Sequence, residues 1–385
     1  MSANKRKFPA ELLAAPSDER VHHFVNYKSE HDHLTNGFDE AMENLRSAAG
    51  PRVVIVTGPT GVGKTTLARR IYRELAQEHA PAMRSDRGFV PIVGIGAVPS
   101  IGAHFNWKDF YIRLLERHGD VMLDKKILIP RQSEIFADVP AFSPLERSVA
   151  DALRRALENS LRLRKTRVLI IDEAHHILMV KDPRQLEYQF ETLKALTVET
   201  GVTLVLVGTY RLLDIRDQSG QLVRRSRIVH FPRYDAHIKG DASAFASTLE
   251  NFRQRLPLAV APNFKGAEEY FYVKSGGCIG ILKDWLAICL EHAVKRGMDT
   301  FDADFAEQFS VPNKALRTII EEAMVGEQKL QDIDIADLKE LLAKGLPVVE
   351  ADADGRRFPR AVPKRRVGER NPVRDKTGGA RHAAA

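Results

Sequence analysis

Between Gly58 and Thr66 the chain reads Gly-Pro-Thr-Gly-Val-Gly-Lys-Thr-Thr, which sets backbone N–H groups, one lysine and two hydroxyls around a single small volume. A loop without side-chain bulk at Gly58, Gly61 and Gly63 can bring its N–H groups up to phosphate oxygens. A helix that starts there presents its positive end to the same oxygens. Lys64 supplies a point charge for the terminal phosphates and Thr65 a hydroxyl for Mg²⁺, with Pro59, Thr60, Val62 and Thr66 completing the cradle. The flanks fit this chemistry. Val53-Val-Ile-Val-Thr57 before the loop reads as a buried strand, and Leu67, Ile71 and Leu75 after it recur at helical spacing. A chance glycine turn would not carry strand, loop, Lys-Thr and helix in this order. The expected ligand is a nucleoside triphosphate.

A second chemical element is Arg167-Val-Leu-Ile-Ile-Asp-Glu-Ala-His175. Its apolar run predicts a buried parallel strand with Asp172 and Glu173 at the C-terminal end, where ligands of open α/β sheets bind. Asp172 suits a carboxylate that holds Mg²⁺, and Glu173 a base that polarises an attacking water. His175 and His176 read as packing or hydrogen-bonding residues at a helix start rather than as ligands. A third strand, Val202 to Gly208, ends in Thr209, whose hydroxyl would lie beside the terminal phosphate and orient the water. Three cations, Arg224, Arg225 and Arg227, then precede a short β-like run, Ile228 to Pro232.

The elements that position these groups follow from periodicity. A helical pattern is expected over His22–Ala49 with Asn36 as its N-cap. Further helices are expected after the loop to about His79, over Trp107–Arg117 and over Leu145–Leu163, with a second strand at Phe89–Ile95 and a loop-rich insertion over 119–143. From Ala242 to Leu342 the pattern is helical almost throughout. The domains expected are a flexible N-terminus (1–20), an α/β nucleotide-binding domain (21–235), a helical domain (236–345) and a disordered basic tail (346–385). Net charge is +7, but between Arg356 and Arg381 ten Lys/Arg stand against Glu369 and Asp375, so the rest of the chain is close to neutral. The prolines of the tail forbid a continuous basic helix. No apolar run approaches the length of a membrane span, and no secretory pattern opens the chain, so a cytoplasmic location is expected. Two cysteines, Cys278 and Cys289, are too few for a disulfide framework or a zinc site.

Taken in order, Gly58–Thr65, Asp172-Glu173, Thr209, the arginines and the helical region resemble an AAA+ ATPase, with its Walker A, Walker B, sensor 1, arginine finger and lid. Within that superfamily the chain resembles the TniB/TnsC group of transposition ATPases. The features that carry the likeness are Asp-Glu-x-His at 172–175, Val-Gly-Thr at 207–209 and Ser275-Gly-Gly-Cys-Ile-Gly280. The resemblance covers roughly residues 20–325. It implies ATP hydrolysis with Mg²⁺ and assembly on double-stranded DNA as a ring or filament of many copies. It also implies a link between a TniQ-like target-selection protein and a transposase. It assigns Arg227 as the arginine finger, with Arg225 and Arg224 as alternates, and places DNA-backbone contacts between the second strand and the Asp172-Glu173 strand, with Lys108, Lys125 and Lys126 as the candidates. The chain departs from the pattern at Ile279, where many lids carry an arginine, and Lys283 is the nearest cation able to substitute. A helicase of the Asp-Glu-Ala-His type would need a second parallel sheet, and the mostly helical chain after Thr209 offers no series of strands to build one. Clamp-loader, initiator and secretion-type ATPases, such as the ExeA group, share the same motif order.

Overall fold

The computed structural model of the chain describes residues 6–99, 105–119, 144–178, 183–216 and 226–344. Five strands, β1 (Val53–Thr57), β2 (Ile92–Gly96), β3 (Val168–Asp172), β4 (Thr203–Gly208) and β5 (Ser226–His230), make one sheet in the order β2-β3-β4-β1-β5. Every neighbouring pair is parallel. The apolar runs explain this. Val-Val-Ile-Val, Val-Leu-Ile-Ile and Leu-Val-Leu-Val are buried on both faces, which suits strands covered by helices above and below.

Among the described residues, six helices flank or precede these strands: α1 (Ser17–Asn26), α2 (Asp32–Arg46), α3 (Lys64–Ser85), α4 (Trp107–Arg117), α5 (Pro144–Leu163) and α6 (Pro183–Thr200). Side-chain alternation divides the core. Val53, Ile55, Leu169, Ile171, Leu204 and Leu206 point to the face covered by α4, α5 and α6. Val54, Val56, Val205 and Val207 point to the other, where Met42 of α2 and Leu67 and Ile71 of α3 meet them.

After a single turn, α7 (Leu213–Arg216), and β5, the chain is helical: α8 (Asp241–Arg253), α9 (Glu268–Ser275), α10 (Ile279–Lys295), α11 (Ala303–Glu307), α12 (Asn313–Gln328) and α13 (Ile335–Lys344). Phe245, Phe252, Phe271, Trp285 and Leu290 build a separate core there. Phe24 of α1 belongs to that core and sits edge-on to Phe252 at 6.0 Å. The α/β class with helices on both faces is therefore the class the sequence predicts.

Local differences have local causes. The expected helix over 22–49 is two helices, and Asn36 lies inside α2. Its predecessor at the N-cap is His31, in extended conformation and without a side-chain cap bond. Residues 6–20 hold a 3-10 turn (Ala10–Leu13) and the start of α1, and the Lys7 N–H donates to Gln254 O of the helical region. Helix α3 runs past His79 to Ser85, with Pro81 inside it one turn from its end. Lys125, Lys126, Arg224, Arg225 and the basic tail lie outside the described residues. Among the described residues no helix is long and apolar enough to cross a membrane. Contacts divide the chain into two compact units, Met1–Gln331 and Asp332–Ala385. The site below lies wholly in the first.

Candidate functional site

Strand register brings the predicted groups to one edge of the sheet. Thr57 of β1 pairs with Gly208 of β4, so Gly58 and Thr209 leave the sheet side by side. Ile171 of β3 pairs with Leu206, so Asp172 and Glu173 emerge on the same edge one strand further along. Glycine is required at the exit of β1. A Cβ on Gly58 would stand 2.0 Å from Phe231 O, and the Phe231 N–H already donates to Thr57 O at 2.8 Å.

The loop then turns through positive φ at Gly61 (81°) and Gly63 (106°) into α3, whose first residue is Lys64. No side chain caps this helix start and no acid stands in its first turn, so its positive end suits an anion. Lys64 is buried. Its Nζ donates to the carbonyls of Pro59 (2.7 Å) and Gly58 (3.1 Å). Burial pushes the ammonium down to about 8, and the negative charges of Glu173 and Asp172 oppose the shift. A buried cation whose hydrogen bonds go to neutral carbonyl oxygens is poised to exchange them for phosphate. This cradle fits a triphosphate.

Asp172 ends β3, and its Oδ1 accepts from the Glu173 N–H at 2.9 Å. Glu173 takes φ +52°, the left-handed region rare for a residue with a Cβ, and the chain turns there into a 3-10 helix, Ala174–Leu178. Its carboxylate, 47% exposed, stands 3.3 Å from Nδ1 of His175. Burial, then the charges of His176, Lys64 and Arg211, push His175 down to about 4, so it is neutral near pH 7. Thr209 opens the 3-10 turn Tyr210–Leu212.

The helical region closes over the loop. The Ile281 N–H of α10 donates to Gly61 O at 3.3 Å. Lys283, the cation expected to replace a lid arginine, instead donates to Val25 O of α1 at 2.6 Å. Its long side chain finds the free carbonyl at the C-terminal end of a neighbouring helix.

Sequence reasoning missed one wall. Helix α12 crosses the turn after Thr209 and bounds a cavity of about 470 Å³ lined by Pro59, Thr60, Thr209, Arg211, Thr318 and Glu322, among others. Gly326 lies flat on the ring of Tyr210, where an added Cβ would meet Cδ2 at 2.0 Å. Tyr210 Oη is 2.8 Å from Nε2 of His230. Burial, with His33 assisting, pushes His230 down to about 4, while burial pushes the phenol up, so the phenol O–H donates to a neutral ring. Glu327 receives two hydrogen bonds from Arg233, at 3.0 and 3.1 Å, and Lys329 pairs with Asp214 at 2.6 Å. A glycine interrupting the helical pattern at 326 was the available signal.

Arg227 and Lys108 are not part of this edge. Arg227 pairs with Val54 in the first half of β5, toward the opposite end of the sheet, with an exposed side chain. Lys108 is exposed in the first turn of α4.

Residues 32–215 match a family model described as an AAA domain, the stretch that holds the loop, Asp172-Glu173 and Thr209. No curated protein matches the chain. Among solved structures, the ORC2 protein of Aeropyrum pernix in its ADP form is similar at 17% identity and a TM-score of 0.47, over 85% of this chain and 90% of that one. Domain III of the Thermotoga maritima replication initiation protein DnaA is similar at 12% identity and a TM-score of 0.39, over 79% and 97%. Drosophila ORC bound to DNA is similar at 14% identity and a TM-score of 0.37, over 74% and 66%.

Proposed function

We propose that this chain binds and hydrolyses ATP, and that it does so as an oligomer on duplex DNA, regulating transposition as the TniB/TnsC likeness implies. The observation that supports the nucleotide half best is Lys64, a buried ammonium at an uncapped helix start, held by the loop carbonyls of Gly58 and Pro59. Charge-assisted bonds to phosphate are about twice as strong as the neutral ones it would leave. Thr65 and Asp172 would hold Mg²⁺, which when bound neutralises charge between the outer phosphates. Glu173 takes the proton of the attacking water, and Thr209 holds that water in line.

Arg227 supplies a cation to the site of a neighbouring copy, a reading supported by its exposure on the strand end away from its own loop. Arg225 and Arg224 are the alternates. Lys108, Lys125 and Lys126 contact DNA phosphates without reading sequence. A transposase and a TniQ-like protein are the partners, on the strength of resemblance alone.

The test is ATP turnover with and without duplex DNA. Lys64→Ala abolishes binding, and Glu173→Gln binds ATP but does not turn it over. Mixing Arg227→Ala with Glu173→Gln protein restores activity, because each lends its intact half to a neighbour. Normal turnover by Glu173→Gln overturns the assignment of the base. Turnover without assembly on duplex DNA, seen by electron microscopy with a non-hydrolysable ATP analogue, overturns the DNA-filament half and leaves the ATPase standing.

A further inference from the structure

The turn after β3 gathers more donors than the ATPase reading uses. Glu173, His175 and His176 each offer one ligand atom, and all three atoms lie within 4.8 Å of one another. The backbone is the cause. Glu173 reverses the chain through positive φ, and the tight 3-10 helix that follows holds both histidines beside it. The two imidazoles stand 4.3 Å apart between ring centroids. Nδ1 of His175 is buried and makes no hydrogen bond, although Glu173 Oε2 is 3.3 Å away. Gly208 on the facing strand leaves room there, since an added Cβ would stand 3.1 Å from that nitrogen.

We propose that Glu173, His175 and His176 hold a divalent transition-metal ion of the zinc class, at a site separate from the Mg²⁺ of the nucleotide. Two imidazole nitrogens and one carboxylate oxygen form the donor set of a three-ligand zinc site with an open position. Imidazole selects zinc, cobalt and nickel over magnesium, which takes oxygen ligands. With metal–ligand bonds of about 2.0–2.2 Å, the three donors draw together around the ion from separations that are already within 4.8 Å. Lys64 and Arg211 also face His175 and oppose added positive charge, which weakens the site.

The consequence rests on the ATPase reading. A carboxylate engaged by the metal no longer accepts the proton of the attacking water, whereas the loop and Lys64 stay free to bind nucleotide. Zinc-class ions would therefore stop turnover without displacing ATP.

The experiment begins on the full chain without nucleotide, titrated with cobalt chloride in excess Mg²⁺. One equivalent of Co²⁺ should bind with the visible absorption of a four- or five-coordinate site, and ZnCl₂ should bleach it. His175→Gln and His176→Gln should each weaken binding by roughly tenfold or more, with folding checked by circular dichroism. ZnCl₂ inhibition of Mg-ATP turnover, scored against each protein's own metal-free rate, should be strong in the parent chain and lost in His176→Gln. Absence of stoichiometric Co²⁺ binding, or binding that survives both substitutions, overturns the site. Binding that requires both histidines while zinc leaves turnover unchanged upholds the site and overturns the role given to Glu173.

Discussion

Lys64 carries a pH dependence that its surroundings dictate. Burial lowers its ammonium to about 8, so the nucleotide-free chain loses the charge as pH rises through that value. A bound triphosphate stabilises the charged form, so binding takes up a proton on the alkaline side. ATP affinity should therefore be steady below pH 8 and fall with each further rise. Titration calorimetry in buffers of different ionisation enthalpy would read both effects. Affinity that is flat from neutral pH to well above 8 would show that another group holds the terminal phosphates. Glu173 is the other residue set by its surroundings. Its positive φ costs on the order of 1–3 kcal/mol, and the buried turn around it keeps it there.

Helix α12 is the element whose packing matters most to the edge of the site. It rests on the turn after Thr209 through Gly326 and Tyr210, and it is tied by Arg233 to Glu327 across 94 positions of sequence. Both side chains of that pair are largely buried, at 12% and 25% exposure. Burial works against the charge of Arg233, yet the hydrogen bonds and attraction of Glu327 raise its guanidinium above the ordinary value. Gly326→Ala has no room, because the alanine methyl meets ring and Cβ atoms of Tyr210 rather than a flexible tip. It should destabilise the chain by about 1–3 kcal/mol in urea unfolding. A double-mutant cycle on Arg233→Met and Glu327→Gln should return a coupling of about 1 kcal/mol or more. Additive effects in that cycle would mean the pair is solvated and the helix is held by apolar contact alone.

At the scale of the whole molecule, charge is distributed unevenly along the chain. All of the excess positive charge lies from Arg356 onward, beyond every residue of the candidate site. Removing residues 356–385 should leave basal ATP turnover as it is. Affinity for duplex DNA should drop, most at low salt, where counterion release counts most. Fluorescence anisotropy across a salt series would show a shallower slope for the shortened chain. An unchanged slope together with loss of transposase binding would make the tail a docking peptide instead of a phosphate-binding arm.

What the sequence determined by itself is what short-range chemistry fixes. Apolar β-branched runs of four to six residues became the strands β1, β3 and β4, because such runs have few other ways to bury both faces. Glycine spacing made the loop, and polar residues directly after apolar runs put Asp172, Glu173 and Thr209 at strand ends. Their common edge also follows, since parallel strands end on the same side. The tertiary structure decided everything that depends on a distant partner. Lys283 turned to Val25, 258 positions away, because α1 lies against α10. Residues 17–20 read as the end of a flexible segment, yet they open α1, whose Phe24 packs into the aromatic core of the helical region. The same holds for α12. Its glycine marks a close approach, but only the packed chain shows that the approach is to Tyr210, because long-range partners are chosen by shape and buried charge and leave no local pattern in the sequence.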